Sequence, residues 1–251
     1  MEKKETVPGD IQFDVPLKEG LILERESRFT MRVQIRKEAV SCHCPTTGRI
    51  ADIDVSGRPC LLSRSKDPKR KTPYTVEAFS LNKPGDKAKS WIGINQNAVN
   101  RYVEHYLANG GFSGIVGTGR TVYREQFLGE SKLDFLVDNI YLEVKTPLQQ
   151  LQIEIPPYVK LKKSAPFSST DRFVRHITEL AGSLQKNQRA ILLTCFIYDN
   201  PGFTVIEKST NYEQVQAAVA RSQSLGVEIW QANFGINKNG VKLEKYFPLE
   251  I

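Results

Sequence analysis

Apolar positions change period along the chain. Between residues 21 and 79 they fall in short alternating runs, at 21–23, 29–35, 39–43 and 75–79, with Gly48, Gly57 and Pro59 between them. Alternation puts successive side chains on opposite faces of a strand. Short strands so closely spaced predict a small β-barrel. From residue 96 the period lengthens. Val99, Tyr102, Val103, Tyr106 and Leu107 follow helical spacing, and Asn109-Gly110-Gly111 supplies a stop. Strands are expected at 121–127, 133–137 and 141–144, and a helix at 171–184. A continuously apolar strand at 190–198, a helix at 211–225 and a strand at 227–232 complete the order. That order is an α/β core. The chain therefore divides into a loose polar N-terminus at 1–14, a barrel at 15–90 and an α/β domain at 91–251.

Chemistry concentrates in the predicted hairpin of the second domain. Asp134 lies on one strand, Asp138-Asn139 makes the turn, and Glu143 and Lys145 lie on the next strand, which Thr146-Pro147 ends. Residues two apart on a strand share a face, so Glu143 and Lys145 project together and Asp134 can lie beside them. Two carboxylates and an ammonium suit metal-assisted phosphodiester hydrolysis. Asp134 and Glu143, with the Val144 carbonyl, would hold Mg²⁺ or Mn²⁺, and Lys145 would orient or activate water. The spacing resembles that of the PD-(D/E)xK nucleases. The plainer alternative is a solvated hairpin face carrying a screened ion pair.

Composition narrows the classes. The chain has 251 residues, 40% hydrophobic and 25% charged, as in a soluble globular protein. No apolar run is long enough to span a bilayer, and Met1-Glu2-Lys3-Lys4-Glu5 is no secretory signal. Four cysteines do not form a disulfide framework, so a cytoplasmic setting (nuclear in a eukaryote) is expected. Cys42-His43-Cys44 lacks a complementary pair for zinc. The net charge of +7 favours a polyanionic partner. Arg58, Arg64, Lys66, Lys69, Arg70 and Lys71 face one acid, Asp67, in a segment that Pro68 and Pro73 keep from being helical. It reads as an exposed basic loop able to follow a phosphate backbone, or simply as a solvated turn.

Ordered blocks along nearly the whole chain resemble the sugar fermentation stimulation protein A (SfsA) family. They are Arg28-Phe29, His43-x-Pro45-x-Thr47-Gly48-Arg49, Lys69-Arg70-Lys71-Thr72-Pro73-Tyr74-Thr75 and Trp91-Ile92-Gly93-Ile94-Asn95. Further on come Arg124-Glu125, Ser131-Lys132-Leu133-Asp134-Phe135-Leu136, Tyr141-Leu142-Glu143-Val144-Lys145 and Gly226-Val227-Glu228-Ile229. The resemblance implies an N-terminal OB-like barrel followed by a restriction-endonuclease-like α/β domain, α+β overall. It also implies DNA binding linked to sugar metabolism, with likeness to nucleases. Thr46 stands where the family has Asn, and Thr146 where it has Ser. Phe167 and Phe173 replace an acid and a glycine between the hairpin and the next helix, while Thr170, Arg172 and His176 remain. If the lost acid assists metal or substrate, activity is weakened or the substrate differs.

The remaining candidates carry mixed readings. Arg172 and His176, four apart, share a helical face with Arg175 nearby, and either bind a phosphate or merely solvate the helix. Glu104 or Glu125 could supply a further acid. Phe29, Tyr74 and Trp91 stack bases on an OB-like face or pack into the core. Gly117-Thr118-Gly119 lacks the setting of a nucleotide cradle. The reading is therefore a DNA-binding protein and divalent-metal-dependent nuclease, with Arg28, Arg49, Lys69, Arg70, Lys71, Arg172 and His176 on the nucleic acid. The rival is a non-catalytic DNA-binding regulator that keeps the fold, and a weaker third is an RNA-processing role.

Overall fold

A computed structural model describes residues 9–162, 170–186, 189–205 and 209–249. The barrel is built from β2 (Lys18–Glu24), β3 (Thr30–Ile35), β4 (Glu38–His43), β5 (Pro59–Arg64) and β6 (Tyr74–Phe79). Its sheet order is β4-β3-β2-β5-β6, closed by a parallel β4–β6 bridge at His43 and Thr75. In β3 the alternation works as expected: Met31 and Val33 are buried while Arg32 and Gln34 face solvent. Residues of β5 are buried on both faces. Leu62 packs into the barrel core, and its neighbour Leu61 packs into the core of the second domain.

A seven-stranded sheet forms the second unit, in the order β1-β13-β12-β11-β10-β9-β8. Its strands are β1 (Ile11–Gln12), β8 (Val122–Leu128), β9 (Ser131–Val137), β10 (Ile140–Lys145), β11 (Arg189–Phe196), β12 (Glu228–Ile236) and β13 (Gly240–Pro248). The central strands β10, β11 and β12 run parallel and the rest pair antiparallel. Helix α1 (Gln96–Ala108) packs Val99, Tyr102, Val103 and Tyr106 in one core with Ile191, Leu193 and Cys195 of β11. On the opposite side α3 (Asp171–Ser183), with α4 (Tyr212–Ser224) beside it, packs Ile177 and Leu180 against Ala190, Leu192 and Ile229. Alternate residues of β11 thus serve the two layers, as a strand covered on both faces requires. A short helix, α2 (Ser113–Val116), follows α1.

Two boundaries differ from the sequence expectation. Ile11–Gln12, expected within a loose N-terminus, forms β1 and pairs with Val241 and Gly240. A Cβ at Gly240 would sit 2.0 Å from the Ile11 carbonyl oxygen, so glycine is what admits this strand. The residues just past position 90, expected to open the α/β domain, include β7 (Ile92–Gly93), which extends the barrel sheet beside β6. Gly93 also donates its N–H to the Ile197 carbonyl at 2.8 Å, against a side chain that leaves no room for a Cβ. Barrel and sheet therefore share buried contacts rather than hanging on a linker.

Candidate functional site

The β9–β10 hairpin pairs Ile140–Leu142 with Val137–Phe135, and the ladder stops there. Beyond that point β10 continues beside β11 while β9 leaves it. Asp134 occupies the fork. Its Oδ2 accepts the Val144 N–H at 2.8 Å, satisfying a backbone donor that the departing strand no longer reaches. Its Oδ1 accepts Asn100 Nδ2 of α1 at 2.7 Å. Burial, then the negative charge of Glu143, push the Asp134 carboxyl above the usual carboxylate range, opposed by Val144, Asn100 and Lys145.

Glu143 is only 2% exposed. Its Oε1 takes the ammonium of Lys145 and lies 2.5 Å from His176 Nδ1 on α3. The other oxygen, Oε2, is buried and has no hydrogen-bond partner among the described residues. Arg172 Nε donates to His176 Nε2 at 3.4 Å, so that nitrogen supplies a lone pair and Nδ1 carries the proton offered to Glu143. His176 is itself 3% exposed. A buried carboxylate oxygen left without a donor is costly, and among the described residues that oxygen has none, on a group whose other oxygen is doubly held.

The residues fit a divalent cation of the Mg²⁺ kind. Among the described residues no three His, Cys, Asp or Glu side chains form a ready cage. Mg²⁺ asks for less, because it keeps several waters and is commonly bound through one or two carboxylates. Asp134 and Glu143 supply two, close enough that the charge on Glu143 raises the Asp134 pKa. A cation between them would meet the bare Oε2 and relieve that repulsion.

The other expected residues are placed differently from one another. Arg28 is exposed in the β2–β3 loop, and Lys69, Arg70 and Lys71 are exposed between β5 and β6. Arg49 is half-buried and ion-paired with Asp52 at 3.0 Å, which commits it to its own loop. His176 is sealed in the protein, where it holds Glu143, while Arg172 remains exposed. Neither of the acids considered as a third carboxylate joins the centre: Glu104 pairs with Arg124 and Glu125 with Lys132. Phe173 is half-buried against the α3 core, and Phe167 lies outside the described residues.

Three polar residues were not anticipated from the sequence. Asn100 fixes Asp134. Gln96, one helical turn before it, accepts from Thr46 Oγ1 at 2.5 Å and donates to the carbonyl of Thr146. Arg25 donates to the carbonyls of Thr46 at 2.8 Å, Gly48 at 2.9 Å and Arg28 at 3.2 Å. The i, i+4 spacing of Gln96 and Asn100, flanking an apolar helical stripe, was the available signal for the first two.

Comparison with known proteins follows the same two units. Residues 23–94 match the model described as SfsA N-terminal OB domain, and residues 97–240 match the sugar fermentation stimulation protein RE domain. A sugar fermentation stimulation protein homolog of Microcystis aeruginosa (strain NIES-843 / IAM M-2473) is 31% identical over 241 residues, covering 90% of this chain and 91% of its own. One from Synechococcus sp. (strain JA-3-3Ab) is 34% identical over 191 residues, covering 74% of each. Among solved structures, Pyrococcus furiosus SfsA in complex with Ca²⁺ superposes with a TM-score of 0.74 at 20% identity, over 97% of this chain and 100% of that one.

Proposed function

The chain belongs to the sugar fermentation stimulation protein family, and from that membership and the site above we propose that it binds DNA and hydrolyses phosphodiester bonds with a divalent cation. The observation that carries the reading is the buried, unpartnered Oε2 of Glu143 beside Asp134. Two carboxylates turned towards a phosphodiester repel it unless a cation stands between. When bound, the cation supplies Lewis acidity and lowers the pKa of a coordinated water.

The protein's own groups do the positioning. Asn100 and the Val144 N–H fix the Asp134 carboxylate, and His176 fixes Glu143 from α3. Lys145, on the other side of Glu143 Oε1, orients the attacking water or carries charge on the phosphate. Arg28 and the Lys69-Arg70-Lys71 run hold the phosphate backbone outside the centre. A divalent cation also accompanies the Pyrococcus furiosus homologue, solved with Ca²⁺. Mg²⁺ or Mn²⁺ is the expected cofactor here, and the cytoplasm the expected setting.

A cleavage screen over single-stranded, duplex and structured DNA and RNA, with Mg²⁺ or Mn²⁺ and chelator controls, tests this. Chelator-sensitive cleavage is expected. No cleavage of any substrate would leave the second reading, a DNA-binding regulator that keeps the nuclease fold. One observation favours that reading: Glu143 is closed off, with Lys145 and His176 engaging the same oxygen.

A further inference from the structure

Of the three aromatics considered for base stacking, Tyr74 and Trp91 are half-buried. Tyr74 packs against the barrel core and receives Lys18 at its hydroxyl, and Trp91 packs against the α/β core. Phe29 is 57% exposed. A single exposed phenylalanine is unremarkable in itself, but this one is held still. Its N–H donates to Ser27 Oγ at 3.1 Å and its carbonyl accepts the Cys44 N–H at 2.8 Å.

The ledge that carries Phe29 is tied to the carboxylate centre. Arg25 bonds carbonyls on both the 25–29 and 44–49 loops, so the two move as one. Thr46 and Pro45 of the second loop bond Gln96 and Asn97 at the start of α1. Gln96 in turn bonds Thr146, the residue after Lys145. A fixed path of hydrogen bonds thus runs from Phe29 to the end of β10. Beside it Arg28, Lys69 and Lys71 make no ion pair among the described residues, the Arg70 guanidinium donates to the Thr75 hydroxyl, and the acid Glu26 is taken up by Arg32 and Ser41.

We propose that this ledge is a docking site for an unpaired DNA strand, with one base stacked on Phe29 and the following phosphates led past Arg28 and Arg70 towards Asp134 and Glu143. The substrate class of the proposed nuclease is then a single strand or a single-stranded end, and the inference rests on that nucleic-acid reading. A base inside a duplex has both faces covered and cannot stack on the ring. The ring is blind to sequence, since every base offers a π-face.

The test is fluorescence anisotropy with the full chain in chelator, so that nothing is cut. The probes are an oligothymidylate of about 15 nucleotides, the matching oligouridylate and a duplex of the same length, within the span one such barrel covers. Phe29→Leu keeps the apolar volume but loses the ring. It is expected to weaken oligothymidylate binding by about 5-fold to 100-fold, the worth of one stacked base, while changing duplex binding less than about twofold. Phe29→Trp should restore affinity, and its indole emission should be quenched on binding. Equal losses on duplex and single strand, or none on either, would overturn the ledge while leaving the nuclease reading standing. Binding confined to oligouridylate would overturn the choice of DNA. Absence of any nucleic-acid binding by the wild type would instead sink the proposed function. Phe29-dependent binding without cleavage in the earlier screen would keep the ledge and remove the catalysis.

Discussion

Asp134 Oδ2 accepts the N–H of Val144 at 2.8 Å, at the point where β9 parts from β10. A side chain here replaces a ladder bond, and in doing so a carboxylate is drawn beside Glu143. Loss of pairing between the strands is what brings the acids together. The fork is therefore structural and chemical at once, and substitutions in it should separate the two roles.

Glu143→Gln keeps the shape and the hydrogen-bonding oxygen for His176 and Lys145 but removes the charge that a cation needs. Cleavage should fall at least about 100-fold, as expected when an electrostatic group of the transition state is lost. DNA binding, read by anisotropy, should be unchanged or tighter because a negative group has gone. Retained cleavage would move the centre elsewhere.

Mg²⁺ or Mn²⁺ should raise the melting temperature of the wild type by about 3–5 °C for each tenfold excess over the dissociation constant. Glu143→Gln should show no such rise. A cation held here would need the ionised carboxylates, and burial, then Glu143, push the Asp134 carboxyl above the usual range. Protons therefore compete as pH falls through that raised value, and the thermal gain should shrink on the acid side. A gain independent of pH would exclude Asp134 as a ligand.

His176→Ala removes a buried donor from Glu143 and leaves a void beside α3. A stability loss of about 2 kcal/mol is expected in urea unfolding, with the cation-induced thermal shift also reduced. Asn100→Ala should act on the cation response more than on stability, since Asn100 is only half-buried. Equal effects of the two on both readouts would contradict their separate placements.

Gly240→Ala puts a methyl group where only 2.0 Å separates its site from the Ile11 carbonyl oxygen. The short strand β1 should be displaced, seen as faster amide exchange at residues 9–14, at a cost of about 1–3 kcal/mol. Unchanged exchange there would mean the strand pairs some other way.

Arg189 holds Glu228 through two hydrogen bonds, at 2.5 and 2.7 Å. The Arg189 guanidinium holds the Glu228 carboxyl below its ordinary value, against partial burial. A depressed carboxylate contributes stability that is present above its unfolded pKa and lost as pH falls through the folded one. Glu228→Gln should cost about 1 kcal/mol at neutral pH, discounted because the pair is partly exposed. The difference from wild type should vanish in acid, and a constant difference would rule out the charge as its cause.

Much of the fold was legible because period and topology agree. The helices expected at 96–109, 171–184 and 211–225 match α1, α3 and α4 to within a residue or so. β5 was not read as a strand, because it opens on Pro59 and runs Cys60-Leu61-Leu62 without alternation. The reason is tertiary: its two faces serve two different cores. β13 alternates as a strand should, with Val241 and Leu243 buried and Lys242 and Glu244 exposed. β1 is two residues long and exists only through its partner.

Of the centre, residue types and spacing identified the Glu143–Lys145 contact. They were silent on Asn100 and on the burial of His176, which depend on where α1 and α3 dock against the hairpin. Spacing also could not tell that Arg49 is spent on Asp52 whereas Arg28 is not. Loops decide such matters by packing rather than by period.

Because Ile11–Gln12 pairs with the strand at Gly240–Pro248, one border of the central sheet cannot form until residues 240 and 241 have been synthesised. On a ribosome the barrel strands emerge early, while this border waits for the β12–β13 hairpin. A chain that stalls before residue 240 leaves the β12 edge without its antiparallel partner, and Ile11–Gln12 with no strand to pair with.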